Sequence, residues 1–208
     1  MISTFIPSSS SLVRLHYDSS YSSSHKIPKP AVFLDRDGVL IHDRHYLSSP
    51  SQIQLIDGCV QKLLHFQTLG YLLIVISNQS GISRGFFDWA TYDLVTHSLI
   101  SILNPVQLLA IYASGHHPSS ESNWRKPGPL MFQHASNNFS IDLRRSLFIG
   151  DRLSDLIAAR NACIPHFYHV KTGHGQKELP DINVYDTSHP SALCTTHYAD
   201  SIASISLS

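Results

Sequence analysis

Charge is scarce in this chain: only 14% of its 208 residues are Asp, Glu, Lys or Arg, and fifteen basic side chains balance fifteen acidic ones. Without a net field, the composition argues against nucleic acid or an anionic membrane as partner. Cysteine is equally sparse. Cys59, Cys163 and Cys194 are odd in number, far apart and mostly in apolar settings, so they read as reduced thiols of a cytoplasmic protein and not as a disulfide framework. No apolar run approaches the ~20 residues that a membrane span requires. Histidine is plentiful, at fourteen, but the residues are scattered and read as polar surface more readily than as a metal-binding tract. An apolar fraction of 42% over this length suits one well-buried domain.

Residues 1–28 are serine-dense, with runs at Ser8 to Ser11 and Ser22 to Ser24, and show no sustained periodicity. A signal peptide needs a basic start and an apolar stretch of about 7–15 residues, and neither is present. The segment reads as a flexible leader with room for a short strand or turn around Leu12 to Tyr17, followed by a domain over 29–208. From Pro30 onward, apolar runs alternate with amphipathic segments. The runs are Ala31 to Leu34, Tyr71 to Ser77, Leu108 to Ala113, Ser146 to Ile149 and His166 to Val170. Near-continuous apolarity predicts strands buried on both faces, as in a parallel sheet. Between them, Gly58 to Leu69 carries helix-spaced apolar residues and stops at Gly70, and Asp88 suits the N-cap of a helix from Trp89 to Leu103. Pro129 suits the first turn of a helix through Asn138, and Ser154 or Asp155 the start of one from Leu156 to Ala162. This order predicts an α/β fold, a Rossmann-like doubly wound parallel sheet in a single domain without room for a separate lid.

The ends of these strands carry the chemistry. Ala31-Val32-Phe33-Leu34 runs into Asp35-Arg36-Asp37-Gly38, and two carboxylates so close need a cation or a shared proton to offset their repulsion. Alone, that stretch reads equally well as a solvated turn. The second strand ends in Ser77-Asn78-Gln79-Ser80-Gly81, which offers a hydroxyl, an amide and backbone N–H groups to phosphate oxygens. Arg125-Lys126-Pro127 follows the third strand, and Gly150-Asp151-Arg152-Leu153-Ser154-Asp155 the fourth. Four such loops in order point to a site for a phosphate and a divalent cation where ligands bind open α/β sheets, at the carboxyl ends of the strands.

In this order the motifs Asp35-x-Asp37, Ser77, Lys126 and Gly150-Asp151-x-x-x-Asp155 resemble those of the haloacid-dehalogenase-like (HAD-like) phosphatases. Asp35-Arg36-Asp37-Gly38-Val39, the Ser77 to Gly85 stretch, Arg125-Lys126-Pro127, Asp43 to Tyr46 and Lys171-Thr172-Gly173 are similar to the heptose-bisphosphate phosphatase and histidinol-phosphatase branch. The resemblance spans roughly residues 30–175 and a terminal helix expected around Tyr198 to Ile205. It implies a Mg²⁺-dependent phosphomonoester hydrolase. Asp35 is the implied nucleophile, forming an aspartyl-phosphate, and Asp37 the acid and base. Mg²⁺ falls to Asp35, the Asp37 carbonyl and Asp151, with Asp155 orienting metal-bound waters or capping the helix. Ser77, Asn78 and Lys126 are the implied phosphoryl ligands. Arg125, Arg152, Asp43 and Tyr46 are left for the rest of a small phosphorylated metabolite.

Many members of that branch hold zinc through three cysteines and one histidine before the Arg-Lys pair. Here Ser114, Ser122 and Trp124 occupy the cysteine positions and only His116 matches, so no zinc is expected in that loop, which Pro118 and Trp124 are left to hold by packing. Because that loop shapes substrate choice, the exact substrate stays open. A heptose 1,7-bisphosphate-like sugar leads, histidinol phosphate is the alternative, and a phosphomutase-type phosphotransferase is disfavoured by the missing lid. No exposed apolar helix stripe stands out, and a monomer is expected.

Overall fold

The computed structural model describes residues 1–6, 12–21 and 27–207. Its strands are β1 (Ile2–Phe5), β2 (Val13–Tyr17), β3 (Ala31–Leu34), β4 (Leu72–Asn78), β5 (Leu108–Ser114), β6 (Leu147–Gly150), β7 (His166–Val170) and β8 (Thr195–Ala199). Its α-helices are α1 (Cys59–Thr68), α2 (Trp89–Ile102), α3 (Leu130–Phe139), α4 (Leu153–Asn161) and α5 (Gly175–Ser188). The strands form one sheet in the order β1-β2-β5-β4-β3-β6-β7-β8. From β5 to β8 every pairing is parallel, and β1 and β2 join antiparallel. This is the single-domain α/β sheet that the alternating pattern predicts.

Both faces of the sheet are covered, which explains the unbroken apolarity of its strands. Along β3, Phe33 joins a core with Phe132 of α3, Leu156 of α4 and Ile182 of α5. Val32 and Leu34 point the other way, into a core with Phe66 of α1 and Val95 and Leu99 of α2. Phe132 links Phe33 and Phe148 edge to face, with ring centroids 5.0 and 5.1 Å apart. The strand order reverses beside β3, so its carboxyl end opens at the switch point of the fold.

Four boundaries differ from the sequence expectation. The serine runs lie outside the described residues; the strand expected around Leu12 to Tyr17 is β2, and Ile2–Phe5, where no element was expected, joins the sheet beside it. Val13 and Leu15 are buried there, and β2 covers the edge of β5 that would otherwise be open. The C-terminal segment Thr195–Ala199 is a strand instead of part of a helix, because its β-branched and aromatic residues pair with the free edge of β7. Only Ile202–Ser204 makes a short 3-10 turn. Helix α4 starts at Leu153, with Asp155 in its first turn instead of at its start. Helix α5 has no counterpart in the expectation, since Pro180 and low apolarity mask it; it is held through buried Ile182. No helix among the described residues is long and apolar enough to cross a membrane.

Candidate active site

A cleft of about 400 Å³ opens over the carboxyl ends of β3, β4 and β6. Asp35, Asp37, Asp43, Tyr46, Ser77, Asn78, Arg125, Lys126 and Arg152 all line it. Asp151 lies beneath, with no exposed surface. Residues from four separate strand ends thus meet at one place, as the motif order implies.

Asp35 leaves β3 with its N–H bonded to Ile149 of β6, which pins the strand end. Its carboxylate accepts the Arg36 N–H at 2.8 Å and stands 2.9 Å from Lys126 Nζ. The same ammonium is 2.8 Å from Asp155. Burial pushes the Asp35 pKa up to about 6 even against the opposing pull of Lys126. Burial opposes the charge on Lys126 too, but Asp155 and Asp35 outweigh it and hold its pKa above the usual lysine value. Burial, then Asp35 and Asp155, drive the pKa of Asp151 well above the carboxylate range. One Asp151 oxygen accepts the His174 N–H at 2.7 Å, whereas Oδ1 has no partner among the described residues. Carboxylate oxygens of Asp35, Asp151 and Asp155 lie within 4.8 Å of one another. Such a buried, oxygen-only cluster with an unpartnered oxygen fits a hard divalent cation. Asp155 contributes least to that vacancy of partners: Lys126 holds one of its oxygens, and the N–H groups of Asp151 and Arg152 hold the other at 3.2 and 3.1 Å.

The loops are packed too tightly for side chains at two points. A Cβ on Gly38 (φ 84°) would fall 2.4 Å from Asp151 Oδ2, and one on Gly173 (φ 61°) would fall 2.3 Å from the same atom. Those glycines let the loops after β3 and β7 close around Asp151.

Asp37 faces the cleft from the other side of the turn. Its carboxylate accepts three hydrogen bonds from two nitrogens of the buried Arg36 guanidinium (3.2, 3.0 and 2.8 Å) and one from Gln79 Nε2 at 3.0 Å. Gln79 also donates to Ser77 Oγ at 2.7 Å and accepts from Arg36 at 3.2 Å. Sequence reasoning assigned roles to neither Arg36 nor Gln79. Their position in the motifs was the available signal, but only the fold turns both inward.

Asn78 also reaches across to the next loop. Its amide bonds Lys126 through both backbone groups, donating to the carbonyl and accepting from the N–H at 3.0 Å each. It therefore sets the Lys126 loop in place. Arg125 is half-buried and feels Arg152: burial first, then that neighbouring charge, lower its pKa. Arg152 is 3.7 Å from Asp43. Tyr46 stacks near Phe86, with ring centroids 4.3 Å apart, and accepts a hydrogen bond from Arg84. In the loop ahead of Arg125, Ser114 Oγ bonds His116 Nδ1 at 3.0 Å and Trp124 packs against His134.

A doubly wound α/β sheet with this set of strand-end residues defines a class, the phosphoryl-handling hydrolases with an aspartate at the end of a central parallel strand, here β3. Comparison with known proteins narrows it. The HAD-hydrolase-like family model matches residues 123–203. A D-glycero-alpha-D-manno-heptose-1,7-bisphosphate 7-phosphatase of Photorhabdus laumondii subsp. laumondii is 36% identical over 155 residues, covering 70% of this chain and 85% of the relative. A D-glycero-beta-D-manno-heptose-1,7-bisphosphate 7-phosphatase of Pasteurella multocida is 35% identical over 160 residues, covering 70% and 83%. Among solved structures, D,D-heptose 1,7-bisphosphate phosphatase of B. bronchiseptica, complexed with magnesium and phosphate, superimposes with a TM-score of 0.72 at 28% identity, over 84% of this chain and 94% of that one. The chain belongs to the HAD-like hydrolases, in the phosphatase branch that these relatives represent.

Proposed function

We propose that this protein hydrolyses a phosphate monoester of a small sugar, of the heptose 1,7-bisphosphate type, through an aspartyl-phosphate. The observation that carries this reading is the surroundings of Asp35: a buried carboxylate paired with Lys126 and gathered with Asp151, whose Oδ1 lacks a partner. Asp35 attacks phosphorus, and Asp37 delivers a proton to the departing alkoxide oxygen. In the second step Asp37 takes a proton from the water that releases phosphate. Arg36 and Gln79 aim its carboxylate through both steps. Lys126 and Ser77 hold the charge spread over the phosphoryl oxygens.

Asp35 and Asp151, with the Asp37 carbonyl, would hold Mg²⁺, which offsets the repulsion between nucleophile and phosphate. Arg125 and Arg152 put two further cations on the cleft wall, which supports a substrate carrying a second anionic group. The names of the relatives support a heptose bisphosphate in particular. The test is a panel of phosphorylated metabolites with Mg²⁺, containing heptose bisphosphates and histidinol phosphate. Release of phosphate from the heptose bisphosphate, lost in Asp35→Asn, is the expected result. Preference for histidinol phosphate would reject the substrate, and turnover by Asp35→Asn would reject the nucleophile.

A further inference from the structure

Two histidines outside the phosphoryl site approach one carboxylate at the rim of the same cleft. Asp43 and His45 lie in the loop after β3, and His174 immediately precedes α5. One ligand atom from each lies within 4.8 Å of the others. His174 Nε2 is 2.8 Å from Asp43 Oδ2, and Asp43 Oδ1 accepts the His45 backbone N–H at 3.0 Å. The two imidazoles stand edge to face with centroids 6.3 Å apart. All three residues border the cleft.

The loop that brings them there is strained. His45 and Tyr46 are consecutive non-glycine residues in the left-handed region, with φ of 45° and 55°. Each such residue costs roughly 1–2 kcal/mol, so the loop needs contacts that over-determine it. Tyr46 has Phe86 and Arg84. The His45 imidazole has no hydrogen bond among the described residues, and its ring is turned toward His174.

We propose that Asp43, His45 and His174 form a second metal site that takes a divalent cation of borderline hardness, with Zn²⁺ as its probe ion. Two imidazoles and a carboxylate suit Zn²⁺ and its neighbours, whereas Mg²⁺ is bound through oxygen. Three protein ligands leave a fourth position for water or a substrate oxygen. Because the ligands border the cleft, that position is open to the distal part of a bound substrate. Arg152, 3.7 Å from the same Asp43 oxygen, sits on a long exposed side chain that can turn to solvent when a cation arrives. His174 also ties the rim to the phosphoryl site, since its backbone N–H donates to Asp151. The proposal stands apart from the loop over 114–125, where Ser114, Ser122 and Trp124 replace three of the four zinc donors, and it does not depend on which phosphate ester is hydrolysed.

The test uses the full chain, stripped with a chelator and returned to saturating Mg²⁺. Zn²⁺ is titrated by calorimetry and Co²⁺ by its visible absorption. One ion should bind per chain beside Mg²⁺. His45→Asn keeps a residue that tolerates positive φ while removing the imidazole. It and His174→Gln should each weaken binding by more than the roughly 10–100-fold that even an outer-shell partner is worth. Asp151→Asn, in the other carboxylate cluster, should retain it. No binding at one equivalent, binding unchanged in His45→Asn, or binding lost only in Asp151→Asn would each overturn the proposal. Circular dichroism establishes that each variant folds, and if His174→Gln does not, His45→Asn decides alone.

Discussion

The ammonium of Lys126 lies 2.9 Å from the carboxylate of Asp35, and both groups are buried. The same nitrogen reaches Asp155 at 2.8 Å, so one cation joins the end of β3 to the first turn of α4. Lys126→Met should leave two buried carboxylates without their counter-charge. Breaking a buried pair from one side costs about 3–5 kcal/mol. Urea unfolding should show a loss of that order, and phosphatase turnover should fall at least about 100-fold if Lys126 holds the phosphoryl group as proposed. A variant of unchanged stability would mean that the pair is not formed in solution.

Asp35 titrates near pH 6 because burial raises its pKa more than Lys126 lowers it. Unfolded, an aspartate releases its proton near 3.9. Between those values the folded, metal-free chain holds more protons, so stability falls as pH rises from about 4 to about 6 and levels above it. The loss attributable to this group is on the order of 3 kcal/mol. Thermal melts in chelator should show the decline, and Asp35→Asn should remove that part of it. Added Mg²⁺ should raise Tm more above pH 6 than below it; an equal rise on both sides would take Asp35 out of the metal site.

His16 has the opposite sign. It is buried on β2 beside Asp93, and burial, only partly offset by Asp93, lowers its pKa to about 4. Unfolded, a histidine takes up its proton near 6.5. The stability that neutral His16 contributes is present above that value and drains away as pH falls toward 4, by up to roughly 3 kcal/mol. A neutral substitute, His16→Gln, should flatten the acid limb of the stability profile. The comparison is the slope of unfolding free energy against pH for the two proteins.

Gly173→Ala should cost both stability and activity. Its new Cβ would meet Asp151 Oδ2 at 2.3 Å and the Gly38 backbone at 2.5 Å, at a positive φ. Relief requires the loop after β7 to move away, carrying His174 from Asp151. A loss of about 1–3 kcal/mol is expected for overpacking, with Mg²⁺ affinity reduced as well. Gly70→Ala is the control, because φ is positive there too (86°) but nothing lies within 4 Å of the added carbon. It should lose only the backbone part of that cost and keep its Mg²⁺ affinity.

The strands and the four chemical loops were readable because each is local. The unbroken apolarity of Ala31 to Leu34 predicted a strand buried on both sides, and its bounds match β3. Asp88 was readable as the cap of α2, and it accepts the Thr91 N–H at 2.8 Å. The bonds of Asn78 to the Lys126 backbone were not readable, because they depend on a loop forty-eight residues away. The C-terminal strand was missed because β8 has only a weak pattern of its own and forms on the edge that β7 presents.

By itself, the sequence determined the sheet-forming runs, the order of the strand ends and which carboxylates and lysine stand at them, since these rest on short-range pattern and side-chain chemistry. Only the tertiary structure decided which oxygens are already partnered. Asp155 is taken by Lys126 and two backbone N–H groups, and Asp151 keeps one oxygen unpaired. It also brought His45 and His174 to the same carboxylate, two members of a scattered set that no spacing connects. Partnership of that kind is a matter of packing between distant loops, where burial strengthens each charge interaction and makes every missing partner costly.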